Sequence, residues 1–217
     1  MNKELSKRIL SSILLIPISL FFIIKGSFLF NFFISVCFLI TIYEWQLMSK
    51  KKNYNIFGFL FLIFSFFTIY KLRNDFEGDY IYLLLITLIC VSTDVGGYVF
   101  GKTFKGPKLT KISPKKTYSG MIGGYLFSII AVNFFLNISH INLVIEFTNN
   151  IFIFTILVST ISQLGDILIS YFKRLTKIKD TGKIIPGHGG LLDRIDGMIF
   201  AFPFSYIIFS TSIIRYF

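Results

Sequence analysis

The sequence predicts an all-α, polytopic integral membrane protein with about seven transmembrane helices and two functional cytoplasmic loops. Hydrophobic residues make up 54% of the 217 positions and charged residues only 15%, whereas soluble domains carry roughly a quarter charged residues. Apolar runs long enough for membrane helices also recur along the whole chain. These features exclude an ordinary soluble globule and a disordered chain.

The expected membrane helices follow the apolar runs, because about 20 helical residues cross the hydrocarbon core of a bilayer. Basic residues precede the first run, as in a signal peptide, but no small-residue cleavage site follows it. We therefore expect this run to be a retained anchor. The predicted spans are residues 9–24, 27–43, 56–70, 81–100, 119–138, 151–172 and 197–214.

The basic residues indicate how these spans are oriented. With a cytoplasmic N-terminus, 18 of the 22 Lys and Arg residues fall in inner segments and four in outer ones. Cytoplasmic loops carry such an excess, so most of the net charge of +11 needs no nucleic-acid partner. Both cysteines lie inside apolar runs, so we expect neither a disulfide framework nor a cysteine-based zinc site.

The chain divides into two regions of different character. Residues 1–80 read as N-terminal anchoring transmembrane helices joined by short loops. Residues 81–217 read as a catalytic transmembrane region, because polar residues enter its spans and two long cytoplasmic loops appear, at 101–118 and 173–196. We expect the function to reside in this second region.

Two predicted spans contain carboxylates. Asp166 belongs to a polar stripe whose steps of three and four place it on one helix face: Ser159, Ser162, Gln163, Asp166 and Ser170. A carboxylate at this depth is costly unless it faces protein, water or a cation. For Asp166 we favour a cation ligand over a structural pair with a nearby Lys or hydroxyl. For Asp94 the two interpretations remain open, and the Gly97-x-x-x-Gly101 spacing beside it also permits close helix packing.

The first long loop contains one misleading motif and one informative one. Residues 96–103 match the phosphate-binding pattern G-x-x-x-x-G-K-[ST], but that motif needs a strand before it and a helix after it. Here a membrane span precedes it and Pro107 follows, so we reject the match. Lys115, Lys116 and Thr117 stand next to a helix start, an arrangement that suits phosphate. A solvated basic loop is the alternative.

The second long loop carries the strongest functional signal. Residues 173–196 combine six basic residues, three carboxylates and four glycines. Carboxylates bind Mg²⁺ through one or two protein ligands, basic side chains neutralise phosphate, and glycines let backbone approach a ligand. Asp193 and Asp196 lie three residues apart and are expected to face the same way as Asp166. For His188 a phosphate contact, a loop-shaping role and acid–base work all remain open. The loop therefore predicts a site for a nucleoside triphosphate and its metal.

This loop resembles the signature of the phosphatidate cytidylyltransferase (CDP-diacylglycerol synthase) family. The resemblance is firm over about 92–197, although Ser119 stands where the family usually has an acidic residue. The signature positions here are Ser170, Lys173, Arg174, Lys179, Asp180, Pro186, His188, Gly189, Gly190, Asp193, Arg194 and Asp196. It implies the conversion of CTP and phosphatidic acid to CDP-diacylglycerol and pyrophosphate. It also implies Mg²⁺ with potassium as a candidate second ion, a homodimer, and a multi-pass protein of the bacterial inner membrane with a cytoplasmic site.

The resemblance also assigns roles to individual residues. Asp166 and Asp193 are expected to bind metal, with Asp196 as a further ligand. Phosphates are expected to contact Lys173, Arg174 and Arg194. Substrate contacts are expected from Lys115, Lys116, Thr117, Ser170, Lys179, His188, Gly189 and Gly190.

Two other functions share some of these features. A CTP-dependent polyprenol or phytol kinase, or an archaeal lipid cytidylyltransferase, would occupy the same membrane setting but is disfavoured by the complete 170–196 signature. A small ion transporter could use Asp94 and Asp166 as ion sites, because intramembrane carboxylates mark ion pathways. The basic, glycine-rich loops are not required by transport.

Overall fold

The computed structural model describes residues 3–50, 52–76, 80–139, 151–187 and 189–211, with side chains described from residue 13 to 137 and from 151 onward within those ranges. They form helices, and the described residues contain isolated β-bridges but no strand. In chain order the helices are α1 (Lys3–Lys25), α2 (Ser27–Ser49), α3 (Asn55–Asn74), α4 (Ile81–Phe104), α5 (Tyr118–Ser139), α6 (Ile151–Leu175), α7 (Leu192–Ile195) and α8 (Met198–Ser210).

The helix pattern confirms the predicted all-α, polytopic class. Each of the seven predicted spans overlaps a described helix, although residues 212–214 of the last span lie outside the described residues. The additional helix α7 is a single turn before α8. Five described helices, α2 to α6, are long and apolar enough to cross a membrane, whereas the described apolar parts of α1 and α8 are shorter. Large apolar side chains such as Phe28, Phe57 and Phe134 are exposed on the helix surfaces. Such exposure is expected where helices face lipid.

Helices α4 and α5 pack backbone to backbone through glycines. A Cβ atom added to Gly96 would collide with the carbonyl oxygen of Gly123 and lie 2.6 Å from the Cβ of Phe127. Close packing of small residues is a common way to join membrane helices. The P-loop-like residues 96–103 lie within α4, which agrees with the rejection of that motif. The glycines at 96 and 97 are thus part of a helix rather than a phosphate loop.

The core joins the N-terminal helices to the C-terminal ones. Phe30 of α2, Leu72 of α3, Ile86 of α4 and Phe154 of α6 are at most 2% exposed and belong to one apolar cluster. Helix α8 packs between α3 and α6, where Ser65 donates a hydrogen bond to the carbonyl oxygen of Ile199 at 2.7 Å. The first 80 residues therefore contribute directly to the packing around the polar region.

Arg73, expected outside the cytoplasm, is buried at the end of α3. Its Nε donates a hydrogen bond to the carbonyl oxygen of Ile23 at 2.8 Å, close to the C-terminus of α1. The last carbonyls of a helix lack intrahelical donors and carry partial negative charge, so a guanidinium satisfies them well. This arginine has a structural role at the end of the bundle opposite the two long loops.

Gly96→Ala should weaken the α4–α5 contact, because a methyl group would force two backbones apart. We expect the free energy of unfolding in detergent to fall by about 2 kcal/mol, as for other overpacked cores. Gly97→Ala is the matched control, since its added Cβ would lie 3.6 Å from its nearest neighbour outside α4, the carbonyl oxygen of Gly120. Thermal unfolding followed by circular dichroism measures both. Equal midpoints for the two variants would contradict this packing.

Candidate active site

The two long loops meet at one end of the bundle. This end is formed by the C-terminal parts of α2, α4 and α6 and the N-terminal parts of α3, α5 and α8. The polar stripe of α6 faces the protein there, with Ser159, Ser162 and Ser170 buried. The oxygen of Ser159 accepts a hydrogen bond from Thr93 of α4 at 2.8 Å. The residues predicted to share one helix face thus lie on a side of α6 that faces the protein.

Asp166 is held between the first long loop and its own helix. The ammonium of Lys116 lies 2.5 Å from its Oδ2, and the hydroxyl of Ser170 donates to its Oδ1 at 3.3 Å. The side chain of Asp166 is 29% exposed, so it is half-buried and open on one side. Lys116 and Ser170 are the kinds of partner expected if Asp166 only forms a structural pair. The exposed side of Asp166 is also accessible to a cation.

Hydrogen bonds within the first loop hold Lys116 where its side chain reaches α6. The amide of Leu109 donates to the carbonyl oxygen of Lys116 at 2.8 Å. Thr117 accepts a hydrogen bond from the amide of Gly120 at 3.1 Å through its side chain, which is the usual geometry of a helix N-cap. Lys115 is exposed beside them. The structure thus gives Thr117 a capping contact, and its predicted substrate contact stays a prediction.

Asp193 is the central acceptor of the second long loop. Its Oδ1 lies 2.9 Å from the ammonium of Lys173, while its Oδ2 accepts hydrogen bonds from the amides of Thr181 at 2.8 Å and Gly190 at 3.0 Å. The carboxylate is only 4% exposed. Both oxygens are therefore engaged by the protein, and the predicted role of Asp193 as a metal ligand stays a prediction.

The electrostatics of Asp193 and Asp196 differ. Burial by itself raises the pKa of Asp193, but the hydrogen bonds from Lys173, Gly190 and Thr181 outweigh it and hold that pKa below its ordinary value. Burial and the nearby carboxylate of Asp166 raise the pKa of Asp196 well above its ordinary range, although Lys173 at 3.9 Å opposes them. The hydrogen bonds thus favour the charged form of Asp193, whereas burial favours the neutral form of Asp196.

Sequence reasoning missed the contribution of Glu44 from α2. Its carboxylate is fully buried and accepts hydrogen bonds from the amides of Leu191 at 2.9 Å and Leu192 at 2.8 Å, and from the hydroxyl of Thr181 at 3.1 Å. One signal was present: Glu44 is an acidic residue directly after the apolar run predicted to end at residue 43. Such a residue at a membrane helix end needs partners inside the protein.

The other predicted site residues differ in how closely they approach this centre. Arg174 is exposed and donates to the carbonyl oxygen of Ile178 at 3.2 Å, and Lys179 is also exposed. Arg194 is close enough to Asp94 for electrostatic attraction. Gly189 has a φ of 89° and forms a tight turn with Ile185, a conformation that favours glycine. His188 lies outside the described residues.

The donor set fits a magnesium ion that also binds substrate oxygens. Asp94, Asp166 and Asp196 are close enough for their carboxylates to repel one another, and carboxylate oxygens are the protein ligands that Mg²⁺ prefers. Within the described ranges, no three His, Cys, Asp or Glu side chains form a complete metal cage. Mg²⁺ typically uses one or two carboxylates together with water and phosphate oxygens, and its binding at these carboxylates stays a prediction.

Comparison with known proteins identifies the family of this chain. Residues 53–212 match the model of the cytidylyltransferase family. The chain belongs to this family. It is 37% identical to the phosphatidate cytidylyltransferase of Rickettsia typhi over 90% of this chain and 88% of that protein. It is 36% identical to the phosphatidate cytidylyltransferase of Rickettsia prowazekii over 93% of this chain and 90% of that one.

A bacterium of another genus also has a similar protein. The chain is 41% identical to the phosphatidate cytidylyltransferase of Staphylococcus aureus strain COL, over 67% of this chain and 53% of that protein. The family match begins before α3 and ends after α8. It therefore includes both long loops and the helices that carry them, which agrees with the family resemblance of the 170–196 signature.

Lys173→Met should destabilise the protein by about 3 kcal/mol, because it leaves the buried Asp193 and Asp196 without their ammonium. Lys183→Met is the control, since Lys183 is exposed in the same loop. Thermal unfolding in detergent compares the two variants with the parent. A Lys173→Met midpoint equal to that of Lys183→Met would show that the buried pair contributes no stability.

Proposed function

We propose that this membrane enzyme transfers the cytidylyl group of CTP to phosphatidic acid and releases CDP-diacylglycerol and pyrophosphate. The observation that carries the proposal is the convergence of Asp166, Asp196 and Lys116 at the end of the bundle where the 170–196 signature folds. The family membership and the relatives named phosphatidate cytidylyltransferase support the same reaction. A lipid phosphate and a nucleoside triphosphate both need cationic and metal-binding groups near the membrane surface.

The reaction mainly requires that the two substrates be positioned and that their negative charge be neutralised. An anionic oxygen of the lipid phosphate attacks the α-phosphorus of CTP, and the bond from that phosphorus to the bridging oxygen of the β-phosphate breaks. The lipid phosphate is already ionised, so a strong general base is unnecessary. Pyrophosphate leaves with the electron pair of the broken bond. As in phosphoryl transfer, rate enhancement comes from orientation and electrostatic stabilisation.

The roles of the carboxylates follow from their exposure. The side chains of Asp193 and Asp196 are 4% and 12% exposed, whereas that of Asp166 is 29% exposed. In this proposal Asp166 provides the accessible metal ligand, Asp196 a second one, and Asp193 a further candidate. Mg²⁺ held by these carboxylates would supply positive charge that stabilises the leaving pyrophosphate. A second cation such as potassium remains part of the proposal.

The basic residues are proposed to hold the phosphates. Lys116 contacts Asp166, and in this proposal its ammonium neutralises a phosphate of the substrate whose metal is held by the same carboxylate. Arg174 and Lys179 are exposed and available to the nucleotide, and Arg194 lies on α7 close to Asp94. Lys173 is paired with Asp193, and in this proposal it contributes positive potential beneath the phosphates. These residues would orient CTP and limit repulsion between the two anionic substrates.

The chain is a multi-pass membrane protein, and we propose that its active site faces the cytoplasm of a bacterial inner membrane. Most basic residues lie at the end of the bundle that carries the two long loops, which favours that orientation under the positive-inside rule. CTP is a soluble cytoplasmic nucleotide, whereas phosphatidic acid stays in the bilayer. A site at the cytoplasmic surface is reached by both. The homodimer implied by the family resemblance stays a prediction.

Activity is tested by pyrophosphate release from the purified protein in mixed micelles containing CTP, Mg²⁺ and phosphatidic acid. We expect release only when all three are present, together with a CDP-lipid product, and a rate about 100-fold lower for Asp166→Asn. Asp75→Asn is the control, because Asp75 is exposed at the opposite end of the bundle. Release of CDP with a phosphorylated lipid would indicate a kinase instead. Full activity of Asp166→Asn would remove its assigned role.

Orientation is tested with single cysteines at opposite ends of the bundle. Lys183→Cys and Asp75→Cys, each in a background with Cys37 and Cys90 replaced by alanine, would be treated with a membrane-impermeant maleimide. We expect Asp75→Cys to react in intact cells and Lys183→Cys only in inverted vesicles, because both native side chains are exposed. The reverse labelling pattern would contradict a cytoplasmic active site.

A further inference from the structure

Glu44 connects the N-terminal anchoring helices to the second long loop. It lies on α2, at the end of the bundle that carries the site, and is fully buried. Oε1 accepts a hydrogen bond from the amide of Leu191, and Oε2 accepts from the amide of Leu192 and the hydroxyl of Thr181. Three donors from one loop thus converge on one side chain that is more than 130 residues distant in sequence.

The loop is shaped around this carboxylate. A Cβ added to Gly182 would lie 2.6 Å from Oε1 of Glu44, and one added to Gly190 would lie 2.5 Å from its Oε2. Both distances are far below van der Waals contact, so the two glycines let backbone pass directly beside the acid. Larger residues at these two positions would displace either the loop or the side chain of Glu44.

The same contacts determine where α7 begins. The amides of Leu191 and Leu192 are at the start of that single turn, where amides lack intrahelical acceptors and favour negative charge. Asp193 follows immediately and holds the other side of the loop through Thr181 and Lys173. Displacing the start of α7 would therefore displace Asp193 and the nearby Asp196, which interacts electrostatically with Asp166.

We infer that Glu44 is a positioning residue, through which α2 holds the 181–192 loop in the geometry that binds the metal–nucleotide substrate. This inference rests on the proposed function, because it assigns that loop to CTP and Mg²⁺. Glu44 is separated from solvent and acts through Thr181 and the start of α7 rather than by touching substrate. The N-terminal helices consequently take part in nucleotide binding as well as in anchoring.

The inference is tested by kinetics of Glu44→Gln with Gln46→Ala as the matched control. The amide of glutamine has one acceptor oxygen, whereas the loop donates hydrogen bonds to both carboxylate oxygens of Glu44. Gln46 lies on the same helix and is exposed. We expect Glu44→Gln to raise the KM for CTP and the Mg²⁺ concentration at half-maximal rate, each about tenfold. The KM for phosphatidic acid should change less than about twofold. Glu44→Asp, which keeps the charge, should recover part of the loss.

A second variant keeps the test decisive if Glu44→Gln does not fold. Thr181→Val removes one of the three hydrogen bonds while preserving side-chain shape, and we expect about a threefold rise in the same two constants. Lower thermal stability with unchanged dependence on CTP and Mg²⁺, in either folded variant, would mean that Glu44 only stabilises the fold. That result would overturn the positioning role.

Limited trypsin digestion separates this inference from the proposed function, because it requires no turnover. Exposed trypsin sites lie in or next to the 181–192 loop, at Lys177, Lys179 and Lys183. We expect Glu44→Gln to be cleaved there about tenfold faster than Gln46→Ala at a temperature well below unfolding. Faster cleavage supports the conclusion that Glu44 holds the 181–192 loop, even if the parent protein lacks cytidylyltransferase activity. Equal cleavage rates overturn it.

Discussion

The buried pair of Lys173 and Asp193 is the interaction on which the polar end of this protein depends. A charge removed from water must be balanced inside the protein, and here the ammonium of α6 balances a carboxylate that also gathers two loop amides. The pair ties α7 to α6, and Asp196, which lies 3.9 Å from the same ammonium, interacts electrostatically with Asp166. The geometry of the candidate active site is thus a consequence of satisfying one buried anion.

The carboxylates at this end serve two distinct purposes. Glu44 and Asp193 are almost fully enclosed and accept hydrogen bonds from backbone and side chains, which gives the second loop a defined shape. Asp166 is half-buried and is contacted by a lysine from the first loop. Enclosed acids build the site, whereas a partly exposed acid remains available to a ligand. This division explains why a short chain keeps several acidic residues so near its membrane spans.

The glycines also serve two purposes, and only one resembles nucleotide binding. Gly96 and Gly123 allow α4 and α5 to meet at backbone distance within the bundle. Gly182 and Gly190 allow the second loop to pass beside a buried carboxylate. A sequence motif cannot distinguish these environments, because both require only the absence of a side chain. The P-loop-like stretch in α4 illustrates the point, since its glycines pack helices together.

The sequence by itself determined the all-α membrane class, the helix positions and the family, because hydrophobic run length and a signature spread over 27 residues are local properties. It also predicted that Asp166, Lys173 and Asp193 belong to one site, and the structure shows the contact between Lys173 and Asp193. Only the tertiary structure decided that Lys116 pairs with Asp166 and that Glu44 holds the second loop. Such partners are distant in the chain, and their contacts arise from helix packing, which the spacing of residues along one segment does not encode.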